Sequence, residues 1–208
     1  MSEREQYARQ AEDWTDRAYA DVAAYLSHRA ELVATLGPAL EPGDEVLDLA
    51  CGDGGLGEPL LQRGLRYRGV DSTPEMVEAA RRRLGGRAPV DLGDLNDYAP
   101  PESVAATTLF RALYYARDRR AFFDRAAGYT QKKLVFDLNP RQYRLDDVLA
   151  DLRSVGFAAI LLRPFFVPQT VSLPGPAVSL AKALERTGPL ARLVLRVRFT
   201  YLVAAARR

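Results

Sequence analysis

The sequence predicts an α/β fold of three layers, a mostly parallel sheet between two layers of helices. From residue 45 onward, short apolar runs alternate with helical stretches of about 10 to 15 residues, the pattern of repeated β-α-β crossovers. A glycine-rich turn follows the first of these runs, where such a sheet places its ligands. At 208 residues the chain suffices for one well-buried core and is short for two full-sized domains.

Residues 5–36 read as helices, with Val22, Leu26, Val33 and Leu36 recurring at helical spacing. Gly37, Pro38, Pro42 and Gly43 then break the pattern. We therefore expect a helical cap over residues 1–36 and a core over residues 37–208. The expected strands are EVLDLA, RYRGVD, APVDLG, VAATTLF, KLVFDL and FAAILLR. In DSTPEMVEAARRRLGG, Ser72 and Glu75 match a capping box, Pro74 suits a first helical turn, and Gly85 and Gly86 end the helix. That helix start puts Asp71 at the carboxyl end of a strand. The tail is different: five prolines and a short helical candidate precede LRVRFTYLVAA, a final strand. The segment is too long and too apolar for a plain connection, so a lid is expected at about residues 168–192.

Composition excludes several functions. The net charge is +2, and only Lys132, Lys133 and Lys182 among the 29 basic residues are lysine. No basic stripe stands out, so no nucleic-acid partner is expected. Cys51 is the only cysteine and His28 the only histidine, which leaves no disulfide, no zinc cluster and no expected metal site. A hydrolase triad would have to use His28, which lies inside a helical pattern, and no nucleophile-elbow sequence is present. The charged amino terminus lacks the apolar core of a signal peptide, and no apolar run approaches the ~18 residues of a membrane span. A cytoplasmic, unprocessed protein is expected, as a monomer or homodimer.

The informative stretch is VLDLACGDGGLG, with GxGxxG at Gly52, Gly54 and Gly57. A glycine-rich strand-to-helix turn brings a ligand against backbone amides. From Asp44 to Gln62 there is no lysine or arginine, while Asp44, Glu45, Asp48, Asp53 and Glu58 are acidic. Carboxylates repel a pyrophosphate and attract a cofactor bearing an ammonium and a sulfonium. S-adenosylmethionine carries both cations and no phosphate.

Here the sequence resembles the class I S-adenosylmethionine-dependent methyltransferases. VLDLACGDG is similar to their first motif, with Ala50 where the first glycine is usual; GVDSTPEMVEAARRRL is similar to their second strand and helix. GDLNDY resembles the acidic turn after their third strand, and VAATTLFRALYYARDRRAFF their fourth strand and following helix. The resemblance is good over residues 45–157 and looser elsewhere. It implies a Rossmann-like fold with seven strands, the last antiparallel, and S-adenosylmethionine as cofactor with S-adenosylhomocysteine as product.

By the same resemblance Asp48 receives the methionyl ammonium, while Ala50, Cys51, Gly52 and Gly54 form the loop against the cofactor. Asp71 takes the ribose hydroxyls, with Ser72 and Met76 beside it. Asp94 and Leu95 meet the adenine, and Phe110 and Arg111 lie near the sulfonium. Asp71 follows the loop by about 20 residues, the separation expected of a ribose-binding acid. Asp91 and Asp97 are alternatives to Asp94 as turn acids. Cys51 reads as a small buried filler rather than a nucleophile.

The reaction implied is an in-line displacement, in which alignment can contribute ~7 to 11 kcal/mol, so a strong base is optional. Tyr114, Tyr115, Asp137 and Tyr143 are unranked candidates for one. Tyr7, Trp14 and Tyr19 are candidates to close over the substrate, although aromatic residues at helical spacing are commonly core. In DLNPRQY, Asp137, Asn139, Arg141 and Tyr143 are further pocket candidates, with helix capping by the polar ones as the alternative. The apolar insertion, with Phe165, Phe166, Val167, Leu173, Val178 and Leu180, favours a small or medium hydrophobic methyl acceptor under a cover, with an oxygen nucleophile preferred. Three other readings stay open: a nicotinamide-dependent oxidoreductase, a catalytically inactive cofactor-binding protein, and a membrane-surface protein using the apolar tail.

Overall fold

The computed structural model describes residues 14–188 and 200–207. Residues 1–13 of the expected amino-terminal cap, Tyr7 among them, residues 189–199 of the tail and Arg208 lie outside them. Among the described residues two helices, α1 (Trp14–Ala18) and α2 (Val22–Thr35), precede the sheet. Then come β1 (Glu45–Leu49), α3 (Gly57–Leu61), β2 (Arg66–Asp71), α4 (Pro74–Leu84), β3 (Val90–Leu92) and β4 (Val104–Leu109). A 3-10 turn at Leu113–Tyr115 leads to α5 (Arg119–Tyr129), β5 (Thr130–Leu138), α6 (Leu145–Ser154), β6 (Phe157–Pro164), α7 (Gly175–Glu185) and β7 (Tyr201–Arg207).

The seven strands among the described residues form one sheet in the order β3-β2-β1-β4-β5-β7-β6. All pairs are parallel except those of β7, which runs antiparallel to both β5 and β6. Period-two alternation divides the core between the two faces of the sheet. Val46, Ala106, Val135, Leu202 and Ala204 face α2, while Leu47, Leu49, Phe136, Val203 and Ala205 join a second cluster with Phe122, Phe123 and Leu152. A sheet covered on both faces explains why β4 is buried at every position.

Helix ends follow local chemistry. Asp21 caps α2 by accepting from Ala24 N at 2.9 Å, and Asp118 caps α5 through Ala121 N at 3.0 Å. At the other end of α2, the buried Lys133 of β5 donates to the carbonyls of Ala34 and Leu36, groups that the helix itself leaves unpaired. The expected capping box of α4 is not formed. Its N-cap is Thr73, one residue later than Ser72, with Pro74 first in the helix and Gly85 ending it in the left-handed region. The carboxylate of Asp71 accepts the Thr73 N–H at 2.9 Å instead.

Candidate functional site

The strand order changes direction between β1 and β4, and the carboxyl edge of the sheet at such a point is where α/β proteins bind ligands. A cavity of about 530 Å³ opens there, within the ~300–1,000 Å³ range typical of small-molecule sites. Its floor comes from the loops after β1, β2, β3 and β4, and its roof from α1, Tyr19 and α2.

Asp48, near the end of β1, is buried. Its carboxylate accepts from Tyr67 Oη at 2.8 Å and Thr108 Oγ1 at 2.7 Å. Desolvation outweighs these bonds and holds its pKa up at about 6. Asp71 ends β2 and accepts two backbone N–H groups, from Gly52 and Thr73, each at 2.9 Å. Burial raises its pKa as well. Each ionised carboxylate has about four acceptor sites, so both retain capacity toward the cavity.

Between these acids the loop turns sharply. Gly52 has φ +58° and Ala50 φ +55°, so Ala50 holds a conformation that glycine adopts without strain. Gly52 and Cys51 line the cavity with Ala50, whereas Gly54 turns away and faces Ala80 and Leu84 of α4. Cys51 packs against Gly69, and burial pushes its thiol pKa well up, as expected of a filler. Ser72, Met76, Asp94, Leu95, Phe110 and Arg111 all line the cavity. Asp94 also accepts from Asn96 N at 2.8 Å and lies 3.3 Å from the Arg117 guanidinium. Arg111 sits at φ +54°, with its N–H bonded to Asp137 Oδ1 at 2.7 Å.

Asp53 has a different role from its acidic neighbours. It accepts from Thr15 N at 3.0 Å and from the Thr15 hydroxyl, and pairs with Arg83 at 2.8 Å. Its charge is therefore committed to tying α1 onto the glycine loop and α4. Gly55 makes the close approach possible, because a Cβ there would collide with the Thr15 side chain.

Trp14, Tyr19, Tyr114 and Tyr115 also line the cavity. Asp137, Asn139, Arg141 and Tyr143 do not. Asn139 closes a turn by accepting from Arg141 N at 3.0 Å, and the ring of Tyr143 lies 5.7 Å from the Arg119 guanidinium. Asp137 is held behind the wall by Arg111 N and, at 3.5 Å, by Arg29. No described residue of the expected lid lines the cavity either; Phe165 and Val167 pack into the core around α2.

Arg29 is the principal cavity residue that the sequence reading omits. It is buried in α2 and lines the cavity. It donates to Tyr25 Oη at 2.8 Å and lies 4.2 Å over the Phe110 ring, yet its Nε has no hydrogen-bond partner among the described residues. The available signal is its position, three residues after Leu26 and four before Val33 on an apolar stripe where arginine is rare.

Among the described residues no group of three or more metal-ligating side chains is placed to hold an ion, and no helix is long and apolar enough to cross a membrane. The Methyltransferase domain family model matches residues 46–133. An uncharacterised methyltransferase of Geobacillus kaustophilus is 30% identical over 191 residues, covering 74% of this chain and 85% of that protein. The methyltransferase solved in complex with the Haloferax volcanii Trm112 activator has the same fold, with TM-score 0.67 and 21% identity over 100% of this chain and 98% of that one. The magnesium protoporphyrin IX methyltransferase of Synechocystis, solved with bound S-adenosylmethionine, gives a TM-score of 0.57 and 18% identity over 100% and 85%. With this fold, this loop and these relatives, the chain belongs to the class I S-adenosylmethionine-dependent methyltransferases.

Proposed function

We propose that the cavity binds S-adenosylmethionine and that the protein passes the methyl group to a small or medium, largely apolar acceptor through an oxygen nucleophile. One observation carries this reading: two buried carboxylates, Asp48 and Asp71, share the cavity with a buried arginine whose Nε has no hydrogen-bond partner among the described residues. The cofactor offers the complementary set, an ammonium, two ribose hydroxyls and a carboxylate. An ammonium beside Asp48 offsets the desolvation that raises its pKa. Asp71 has lone pairs left for both ribose hydroxyls. Arg29 would take the carboxylate, supplying the acceptor that Nε lacks. Asp94 and Leu95, which line the cavity, would meet the adenine, and Phe110 and Arg111 would flank the sulfonium end.

When bound, the cofactor supplies an electrophilic methyl group on a cationic sulfur. The chain's own part is alignment and exclusion of water by Trp14, Tyr19 and Phe110. Tyr114 and Tyr115, each in its phenolate form, are the remaining candidates to receive the acceptor's proton, since Asp137 and Tyr143 lie outside the cavity. The cavity's size and its roof of short helices favour a compact acceptor over a polymer. Incubation with methyl-labelled cofactor and a panel of phenols and carboxylic acids tests the reading. Label in a solvent-extractable product is expected; label found only in RNA or protein from added lysate would overturn it.

A further inference from the structure

We propose that the described part of the insertion between β6 and β7, residues 165–188, is a buttress that positions Arg29, with the buried Glu185–His28 contact as its anchor. This rests on the reading of Arg29 as the cofactor's carboxylate partner. The described insertion contributes nothing to the cavity wall, yet its polar and aromatic groups converge on the helix that carries Arg29.

Glu185, the last residue of α7, is buried with His28. One carboxylate oxygen lies 2.6 Å from His28 Nε2, and the other accepts from Phe166 N at 2.7 Å. A single side chain thus joins α7, the start of the insertion and α2. Phe165 completes the contact: its ring stacks on His28 at 5.2 Å, meets the Tyr25 ring edge-on at 4.9 Å and lies 5.7 Å from the Arg29 guanidinium. Tyr25, His28 and Arg29 are spaced to share one face of α2, and Tyr25 Oη is the acceptor that orients Arg29.

Two further ties surround this anchor. Lys182 and Arg186 of the α7 end reach Glu31 of α2 at 3.7 and 2.8 Å. Gln169 donates to Ala18 O at 2.9 Å and accepts from Ala20 N at 2.8 Å, clasping the joint between α1 and α2. Burying an ionisable pair is an expensive way to pack two helices, because apolar residues of similar volume often do as well. Its directional geometry suits a positioning role, since one carboxylate fixes the Phe165–Phe166 backbone and α2 together.

If the buttress favours the binding-competent position of Arg29, a ligand bound by Arg29 must tighten the buttress by the same factor. Hydrogen exchange of α7 should therefore slow with S-adenosylhomocysteine, which has the carboxylate, and not with 5′-methylthioadenosine, which lacks the whole amino-acid moiety, carboxylate and ammonium together. In Glu185→Gln, S-adenosylhomocysteine should bind about tenfold more weakly, with 5′-methylthioadenosine affinity unchanged. Equal weakening of both ligands, or of neither, would overturn the proposal, as would α7 exchange in the wild type that ignores both ligands. The wild-type exchange measurement stands even if the variant folds poorly. Failure of S-adenosylhomocysteine to bind the wild type would instead refute the cofactor reading, so the two failures are distinguishable.

Discussion

The floor and the roof of the cavity are held in place by different means. On the floor, Asp48 and Asp71 sit at or near strand ends, and Asp71 is fixed by N–H groups of the glycine loop and of the residue two positions on. Over it, α1 is tied down by Asp53, and α2 is braced by Glu185, more than 150 positions later in the chain. Floor geometry follows from the strands and turns themselves, whereas the roof depends on the whole fold being assembled. Substitutions in the floor should therefore act on cofactor recognition, and those in the roof on how well the cover is held.

The largest expected effect is at the floor. Asp71→Ala should weaken S-adenosylhomocysteine by about 100-fold or more in calorimetry, because two hydrogen bonds to a charged acceptor are lost at roughly 1.5–3 kcal/mol each. It should weaken 5′-methylthioadenosine equally. Arg29→Met should separate the two ligands, costing S-adenosylhomocysteine about 30-fold while sparing 5′-methylthioadenosine. Equal losses would place Arg29 in a purely structural role.

Acidification gives the next effect. The Asp48 carboxyl, raised to about 6 by burial, must be ionised to receive an ammonium. S-adenosylhomocysteine affinity should hold above about pH 6 and fall roughly tenfold per pH unit below it, with the raised pKa of Asp71 acting in the same direction. For the unliganded protein the sign is opposite. A carboxyl pKa raised on folding favours the native state at low pH, and that contribution fades as pH rises through about 6. Flat affinity between pH 5 and 7 would remove Asp48 from the site.

Smaller effects are expected where α1 is tied and where the loop is strained. Thr15→Val removes one bond to Asp53 and should cost about 1–2 kcal/mol, read as faster amide exchange in α1. Ala50→Gly relieves a left-handed alanine, worth roughly 1–2 kcal/mol, against an unfolded-state entropy cost of about 0.5–1 kcal/mol. A stability gain of a few tenths of a kcal/mol to about 1 kcal/mol is expected in denaturant titration. A loss above about 1 kcal/mol would mean that the Ala50 methyl packs to advantage.

The same division marks what was legible in the sequence. The α/β class, the strands and the strand-end position of Asp71 follow from alternating apolar runs and punctuated turns, which are local signals, whereas Asp48, Gly52, Asp94 and Phe110 are singled out by the family resemblance. Arg29 left only a faint trace, one basic residue on an apolar stripe. Thr15 and Glu185 left none, because their partners are set by tertiary packing. Asp53 misled for the same reason: its charge counts toward the loop in sequence, while in the fold Arg83 and Thr15 satisfy it. Asn139 and Arg141 follow β5, beyond the switch point, and the Asn139 side chain closes a turn by accepting the Arg141 backbone N–H.

The most direct test of the central claim is calorimetric titration of the wild-type protein with S-adenosylhomocysteine and, in parallel, with NADH. Two carboxylates and an arginine in one cavity predict micromolar binding of the first and none of the second. NADH binding without S-adenosylhomocysteine would contradict the account, because the carboxylates would then be facing a pyrophosphate.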